Sequence, residues 1–263
     1  KAPEQIAVEL GIPAENSSLL MPSALLIKHF IEATGAENLW IPGVSLSDGI
    51  AYDYADKNKI LRSKHDFEED ILSSAEHISK RYLGSHSCSD TLVKASLAIY
   101  DSTKKIHGMS KRERLLLQLA SRLWDVGKFV SMSSPAETAY SIIMGTEIIG
   151  ISHIEREMIA MIVMDSYPKD IEYSDLTSED FDPKTYLTVA KLTAILRVAS
   201  GLARNPRKSY RDVKAQPKER ELVITVDTDD DMLLEKGLFN ERTDTFKEVY
   251  GLIPVLRIKG GTF

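Results

Sequence analysis

The sequence is poor in several features that define large classes of proteins. It has one cysteine, Cys88, in 263 residues, which excludes an internal disulfide and is typical of a protein from a reducing compartment. No apolar run approaches the ~20 residues that a membrane-spanning helix needs, and no signal peptide is recognisable. We therefore expect a cytoplasmic protein without a membrane partner.

Basic charge and glycine-rich motifs are also scarce. The net charge of −6 provides no overall basic field, so a phosphate-rich partner would require a local basic patch, and DNA is not expected as a partner. The 14 glycines are scattered as caps and turns, and none forms a phosphate-binding loop. The histidines occur singly, without the spacing of a zinc-binding helix. The sequence therefore shows no catalytic centre of a common type.

Helical periodicity dominates the middle of the chain. From Asp66 onwards, the apolar spacing predicts almost continuous helix up to residue 204, interrupted by an acidic loop at 169–182. Ser110 with Glu113, and Ser152 with Glu155, have the spacing of capping boxes and predict two helix starts. The helix after Ser110 is apolar on more than one face, which predicts the centre of a bundle.

The two ends of the chain have a different periodicity. Near the N-terminus, two helices are followed by β-forming residues at 39–44, which predict a short strand, then by a turn at 45–49 and a polar linker. Near the C-terminus, "RELVITVDT", "DMLLEKG" and "GLIPVLRIKG" predict strands, with a hairpin turn at 229–231 and a short helix before the last strand. The expected fold is mainly α with a small α+β tail.

Three stretches resemble the C-terminal half of the exopolyphosphatase / guanosine-pentaphosphate phosphatase (Ppx/GppA) family. "LLMPSALLIKHFI…LWIPGVSLSDGI" resembles the end of the family's second actin-like domain, although its turn reads Leu-Ser-Asp-Gly where the family usually has Leu-Arg-Glu-Gly. "ISKRYLGSHSCSDTLVKASLAIYDSTKKIHGMSKRERLLLQLASRLWDVG" resembles the family's HD-type helical domain. "LTAILRVASGLARN", with the strands that follow it, resembles the closing helix and the C-terminal domain.

The resemblance implies a division into three domains. Residues 1–60 would be the C-terminal remnant of an actin-like (ribonuclease H-like) phosphatase domain, 61–205 a degenerate HD-like helical bundle, and 206–263 a small α/β domain. In the family, phosphoanhydrides are hydrolysed with Mg²⁺ between two actin-like domains. Because the chain opens at Lys1 within a helical pattern, we expect the catalytic half and its Mg²⁺ to lie upstream. We expect no catalytic residue and no cofactor in this part.

The HD-type metal site is expected to be vestigial. Such a site needs His and Asp side chains from several helices that converge on one ion. On the family pattern, the positions of its ligands fall on Cys88, Trp124, Asp125, Glu137 and Ser200. An indole cannot coordinate a cation, and a buried cysteine is more often a small hydrophobe than a ligand. We therefore expect no metal, and we expect Asp125 to accept hydrogen bonds from helix N–H groups or from an arginine such as Arg197.

The densest basic run is "LARNPRKSYRDVKAQPKER" near the end of the bundle. Its candidate polyanion-binding residues are Arg204, Arg207, Lys208, Arg211 and Lys214. Arginine and lysine bind phosphate by charge-assisted hydrogen bonds, and Tyr210 within the run could stack on a guanine base. The alternative is a solvated linker, which is the usual identity of a charged run.

Two functions of different classes follow from these observations. In the first, the chain is part of a phosphoanhydride hydrolase acting on inorganic polyphosphate or guanosine pentaphosphate. This part would then serve polyanion binding, homodimerisation or regulation rather than catalysis. In the second, it is a non-catalytic ligand-sensing or assembly module built on a degenerate HD bundle. An active HD phosphohydrolase with an altered metal site is a remote third hypothesis.

Overall fold

The computed structural model describes residues 2–13, 15, 17–61, 65–167, 181–203, 205 and 210–260. The chain divides into two compact units, 1–64 and 65–263. The described residues are mostly helical, with one small three-stranded sheet near the C-terminus. The predicted mainly helical fold with a small mixed tail is therefore confirmed, whereas the three domain boundaries stay predictions.

The described residues of the N-terminal unit form the α-helices α1 (Pro3–Leu10), α2 (Ser17–Thr34) and α3 (Leu46–Lys57). The predicted strand at 39–44 is wrong, because these residues form no ladder with any described strand. Pro42 has no N–H to donate, and Gly43 turns the chain at a φ of +67°. The turn predicted at 45–49 is instead a helix start, in which Asp48 Oδ2 accepts the Ser45 N–H at 2.8 Å. The actin-like identity of this unit stays a prediction.

The second unit begins with a helical bundle. Its α-helices are α4 (Phe67–Arg81), α5 (His86–Ser102), α6 (Lys104–His107), α7 (Lys111–Arg122), α8 (Pro135–Met144), α9 (His153–Asp165) and α10 (Pro183–Ser200). A 3-10 helix, Val126–Phe129, lies between α7 and α8. Both predicted capping boxes are confirmed: Ser110 and Ser152 are the N-caps of α7 and α9. In the described part of the chain, no helix combines the length and the apolar character needed to cross a membrane.

The core of this unit lies among α5, α7, α9 and α10, which pack against one another. Helix α7 buries Leu115, Leu116, Leu117 and Leu119. These four residues cover well over one face of a helix with 3.6 residues per turn. The prediction that α7 lies at the centre of the bundle is therefore confirmed.

The tail consists of β1 (Asp212–Lys218), β2 (Glu221–Asp227), α11 (Leu233–Asn240), α12 (Asp244–Tyr250) and β3 (Ile253–Lys259). The sheet order is β1-β2-β3, with β1 antiparallel and β3 parallel to β2. Strand β1 contacts α5, and α12 contacts α10, so the tail shares the bundle's core. Each outer strand contains a proline, Pro217 in β1 and Pro254 in β3.

Two predictions for the tail are wrong. The hairpin turns between Lys218 and Glu221, not at 229–231, and its first strand lies within the basic run. The segment "DMLLEKG" is not a strand but contributes to α11. Asp231 Oδ1 accepts the Leu233 N–H at 3.0 Å where the helix begins. Glu235 and Phe239 are buried one turn apart, which is a helical spacing.

Candidate functional site

Asp125, in the turn after α7, is a structural hydrogen-bond acceptor. Its side chain is buried, and Oδ2 accepts the N–H of Ser85, the N-cap of α5, at 2.9 Å. A carboxylate is favourable there, because a helix N-terminus carries partial positive charge. A Cβ on Gly84 would lie 2.9 Å from Asp125 Oδ1, so the close approach of the two segments requires glycine. This agrees with the role expected from the sequence. The other suggested partner, Arg197, donates to Thr245 Oγ1 at 3.0 Å.

Trp124 is held by contacts that join the ends of α7 and α9. Its indole Nε1–H donates to Ser166 Oγ at 2.8 Å, and its ring stacks on Tyr167 at a centroid distance of 5.0 Å. The Tyr167 hydroxyl returns a hydrogen bond to the Trp124 carbonyl at 2.8 Å. Lys128 Nζ lies 4.1 Å from the indole centroid, within the range of a cation–π contact. The ring and its donor are therefore both engaged in packing.

The other three HD positions lie in dissimilar environments. Cys88 is buried in the first turn of α5. Glu137 is exposed in the first turn of α8. Ser200, at the end of α10, is fully buried, and its Oγ donates to the Arg197 carbonyl at 2.7 Å. These side chains have hydrophobic, solvated and hydrogen-bonded roles, respectively.

The Ser200 hydroxyl also accepts a hydrogen bond from the guanidinium of Arg242. Arg242 is buried and comes from the turn between α11 and α12, so the tail places a permanent cation at this HD position. The neighbouring Arg197 is also inside the protein, where burial lowers the pKa of its guanidinium and the Asp165 carboxylate opposes that effect. No local sequence pattern marks Arg242, because its contact with Ser200 joins residues 42 positions apart in the chain.

The residues at the HD positions do not fit a metal ion. The indole N–H of Trp124 is donated to Ser166, and the Ser200 hydroxyl accepts from a guanidinium that would repel a cation. Within the described ranges, no group of three or more His, Cys, Asp or Glu side chains is placed to hold a metal. That no cofactor binds here stays a prediction.

The basic run is only partly described. Arg204, Arg207 and Lys208 lie outside the described residues. Arg211 forms ion pairs with Asp227 at 2.9 Å and Asp229 at 2.8 Å, and its hydrogen bond to Asp229 raises its pKa. Lys214 pairs with Asp212 at 2.9 Å, and this contact raises its pKa. The two described cations are therefore partly neutralised by neighbouring carboxylates.

Tyr210 is not available for stacking on a base. Its ring is buried, and its hydroxyl donates to the Leu202 carbonyl at 2.7 Å. Burial raises the pKa of this hydroxyl far above its ordinary value. The suggested contact with a guanine base is therefore wrong, because the side chain anchors the start of the tail to the end of the bundle.

The second unit is thus defined by a helical bundle with a small three-stranded sheet packed on its core. The sequence model described as "Ppx/GppA phosphatase, domain III" matches residues 72–245, which is more than half of the chain. The chain therefore belongs to the Ppx/GppA phosphatase family, and the predicted resemblance of its helical region to that family is confirmed. No curated protein matches it.

Proposed function

We propose that the second unit of this chain serves binding and regulation in a phosphatase and does not itself hydrolyse phosphoanhydrides. The observation that carries the proposal is the use of Trp124 and Ser200 as hydrogen-bonded packing residues at positions where the family pattern has metal ligands. A phosphohydrolase of the HD type depends on metal ions to activate water. Side chains that are engaged in the core cannot supply that chemistry.

The proposed substrate of the whole protein is inorganic polyphosphate or guanosine pentaphosphate. Support comes from membership of the Ppx/GppA phosphatase family. Catalysis and Mg²⁺ binding are assigned to an actin-like part of the protein. The matched region, domain III, would then affect substrate affinity or assembly.

The test of the proposal is phosphate release by the purified chain. Polyphosphate and guanosine pentaphosphate are supplied separately with Mg²⁺ or Mn²⁺, and we expect no release above that of the buffer. Asp125→Asn is the matched variant, because its amide oxygen can still accept the Ser85 N–H. Release by the wild-type chain that disappears in Asp125→Asn would show a working HD centre and overturn the proposal.

Polyanion binding by the basic run is the second element of the proposal. Its support is the density of cations in the run, although Arg211 and Lys214 already contact carboxylates. Charge reversal of Arg207, Lys208 and Arg211 should weaken polyphosphate binding and flatten its salt dependence, by analogy with counterion release from nucleic acids.

A matched triple reversal separates this effect from net charge. Lys94, Lys104 and Lys105 are exposed cations of the bundle, and their reversal changes the net charge by the same amount. Fluorescence anisotropy with labelled polyphosphate, measured over a range of salt concentrations, should distinguish the two triple variants. Equal losses of affinity in both would leave the basic run as a solvated linker.

Homodimerisation is the third element. Its support is the exposed apolar surface of α2, on which Leu25 and Leu26 are each 58% and Phe30 is 61% exposed. Large exposed apolar side chains in a group commonly mark a protein–protein contact. Sedimentation equilibrium of the chain and of Phe30→Glu should give a dimer and a monomer, respectively.

A further inference from the structure

An open groove lies between the end of α4 and the end of α8. It has a volume of about 660 Å³, within the range of small-molecule sites. One wall is a face of α4, and the other is the segment Gly145–Glu147 after α8. None of the predicted HD positions and none of the described residues of the basic run line this groove.

The α4 wall carries hydrogen-bond donors in a row. Ser73, His77 and Arg81 line the groove, and their four-residue spacing places them on the same face of the helix. Among the described residues, neither His77 nor Arg81 forms a side-chain hydrogen bond or ion pair. Glu76, a carboxylate of the same helix, contacts Lys80 at 2.9 Å and His86 at 3.7 Å. The imidazole and the guanidinium that face the groove are therefore available to a ligand.

A second cationic side chain lies behind the opposite wall of the groove. The Thr146 carbonyl accepts a hydrogen bond from Arg156 Nη1 at 3.2 Å, so a second guanidinium lies directly beneath this wall. Glu147 is the carboxylate among the lining residues, and it is exposed. Arg81 and His77 face one solvated carboxylate, and the Arg156 guanidinium behind the wall adds to the positive charge, which favours an anion. Because α4 and α8 end here and helix C-termini carry partial negative charge, side chains rather than backbone groups must hold that anion.

The end of the groove is apolar. Ile78 is buried beneath it, and the half-buried ring of Tyr82 is in edge contact with Phe129 at a centroid distance of 6.3 Å. The Tyr82 ring is therefore held in place by Phe129, and it presents an aromatic surface beside His77 and Arg81. A bare phosphate would leave most of the volume unfilled.

We propose that this groove binds a phosphorylated small molecule, with its phosphate against His77 and Arg81 and its organic part against Ile78 and Tyr82. Arginine suits the phosphate because its planar guanidinium forms paired hydrogen bonds with phosphate oxygens. An aromatic ring suits a flat organic group by stacking. The proposal uses none of the residues assigned to polyanion binding, so it does not depend on the proposed function.

The test is calorimetric titration of the full chain with inorganic pyrophosphate and, separately, with ADP. We expect both to bind, and ADP to bind more tightly because its base contacts Tyr82. Arg81→Gln should weaken the binding of both probes by about tenfold or more, since a hydrogen bond to a charged group is lost. Tyr82→Leu should weaken the binding of ADP alone.

The matched control is Arg220→Gln in the β1–β2 turn. Arg220 is exposed and, within the described part of the chain, forms no ion pair, so its removal changes the net charge equally. Equal weakening by Arg81→Gln and Arg220→Gln would show unspecific attraction, and wild-type affinity in Arg81→Gln would place the ligand elsewhere. Either result overturns the proposal. His77→Asn provides a second variant in the same row if Arg81→Gln does not fold.

Discussion

Helices α2 and α10 are both 18 residues long and contain several leucines and alanines, but they lie in opposite environments. Helix α10 buries nine of its residues, from Val189 to Ser200, in the core of the second unit. Helix α2 buries one, Ser17. Apolar composition alone therefore does not decide which helix enters a core.

The difference lies in the number of neighbouring elements. Helix α10 contacts α5, α7, α9, α11 and α12, whereas α2, among the described residues of its unit, packs mainly against α1. Burial of apolar area is the main favourable contribution to folding. We infer that the second unit contributes most of the free energy of unfolding of the chain.

The largest effect is expected from a cavity in α10. Leu192→Ala removes a fully buried side chain and should lower the free energy of unfolding by about 2–5 kcal/mol. Leu10→Ala in α1 of the first unit removes a side chain that is 62% exposed and should change it by no more than about 0.5 kcal/mol. Urea unfolding followed by circular dichroism gives both values. Similar losses in the two variants would contradict the assignment of stability to the second unit.

Two glycine-to-alanine substitutions should change the free energy of unfolding in opposite directions. In Gly84→Ala, the new Cβ would lie 2.3 Å from Ser79 Oγ and 2.9 Å from Asp125 Oδ1, so we expect a loss of about 1–3 kcal/mol from overpacking. In Gly49→Ala, within α3, the new Cβ meets nothing within 4 Å. Alanine favours the helix there by roughly 0.5–1 kcal/mol. Thermal melts of each variant would test the pair, and a loss in both would show that α3 is not helical in solution.

The smallest effect is expected in the pH dependence of the free energy of unfolding, to which His107 of the second unit contributes. His107 Nδ1 accepts the Met109 N–H at 2.9 Å, which leaves Nε2 to donate to the Tyr100 carbonyl at 2.9 Å, and burial lowers the pKa of this imidazole. Below the ordinary value of about 6.5, the unfolded chain therefore binds a proton that the folded chain does not. The free energy of unfolding should fall as the pH decreases from 7 towards the lowered pKa.

His107→Gln should remove this part of the pH dependence, because glutamine keeps both a donor and an acceptor but does not titrate. His29→Gln, at an exposed position of α2, is the control and should keep the wild-type dependence. Urea unfolding at a series of pH values measures both. An unchanged pH dependence in His107→Gln would show that the imidazole is not neutral in the folded protein.

Features encoded by neighbouring residues were predictable from the sequence. The caps Ser110 and Ser152 lie three residues before the glutamates that complete their capping boxes, so the two helix starts could be located. Strand β1 was not predictable, because its residues are mostly polar and include Pro217. Its strand conformation is instead set by pairing with the apolar strand β2.

The contacts of the candidate site were likewise not predictable from neighbouring residues. The family resemblance predicted which residues stand at the HD positions, and the presence of Trp124 among them argued against a metal ion. The hydrogen bonds from Arg242 to Ser200 and from Trp124 to Ser166 each connect residues 42 positions apart. No local pattern encodes such contacts, because they depend on how the tail and α9 pack against the rest of the bundle.

The prolines in the two outer strands limit how the tail can associate with other chains. Pro217 in β1 and Pro254 in β3 each remove a backbone N–H that an incoming strand would need. In β3, the odd-numbered residues face β2, since the Ile253 N–H donates to the Arg220 carbonyl, so Pro254 lies on the open edge. Growth of the sheet into a continuous intermolecular ribbon is thereby discouraged, which favours side-chain contacts over strand pairing in any association of the tail.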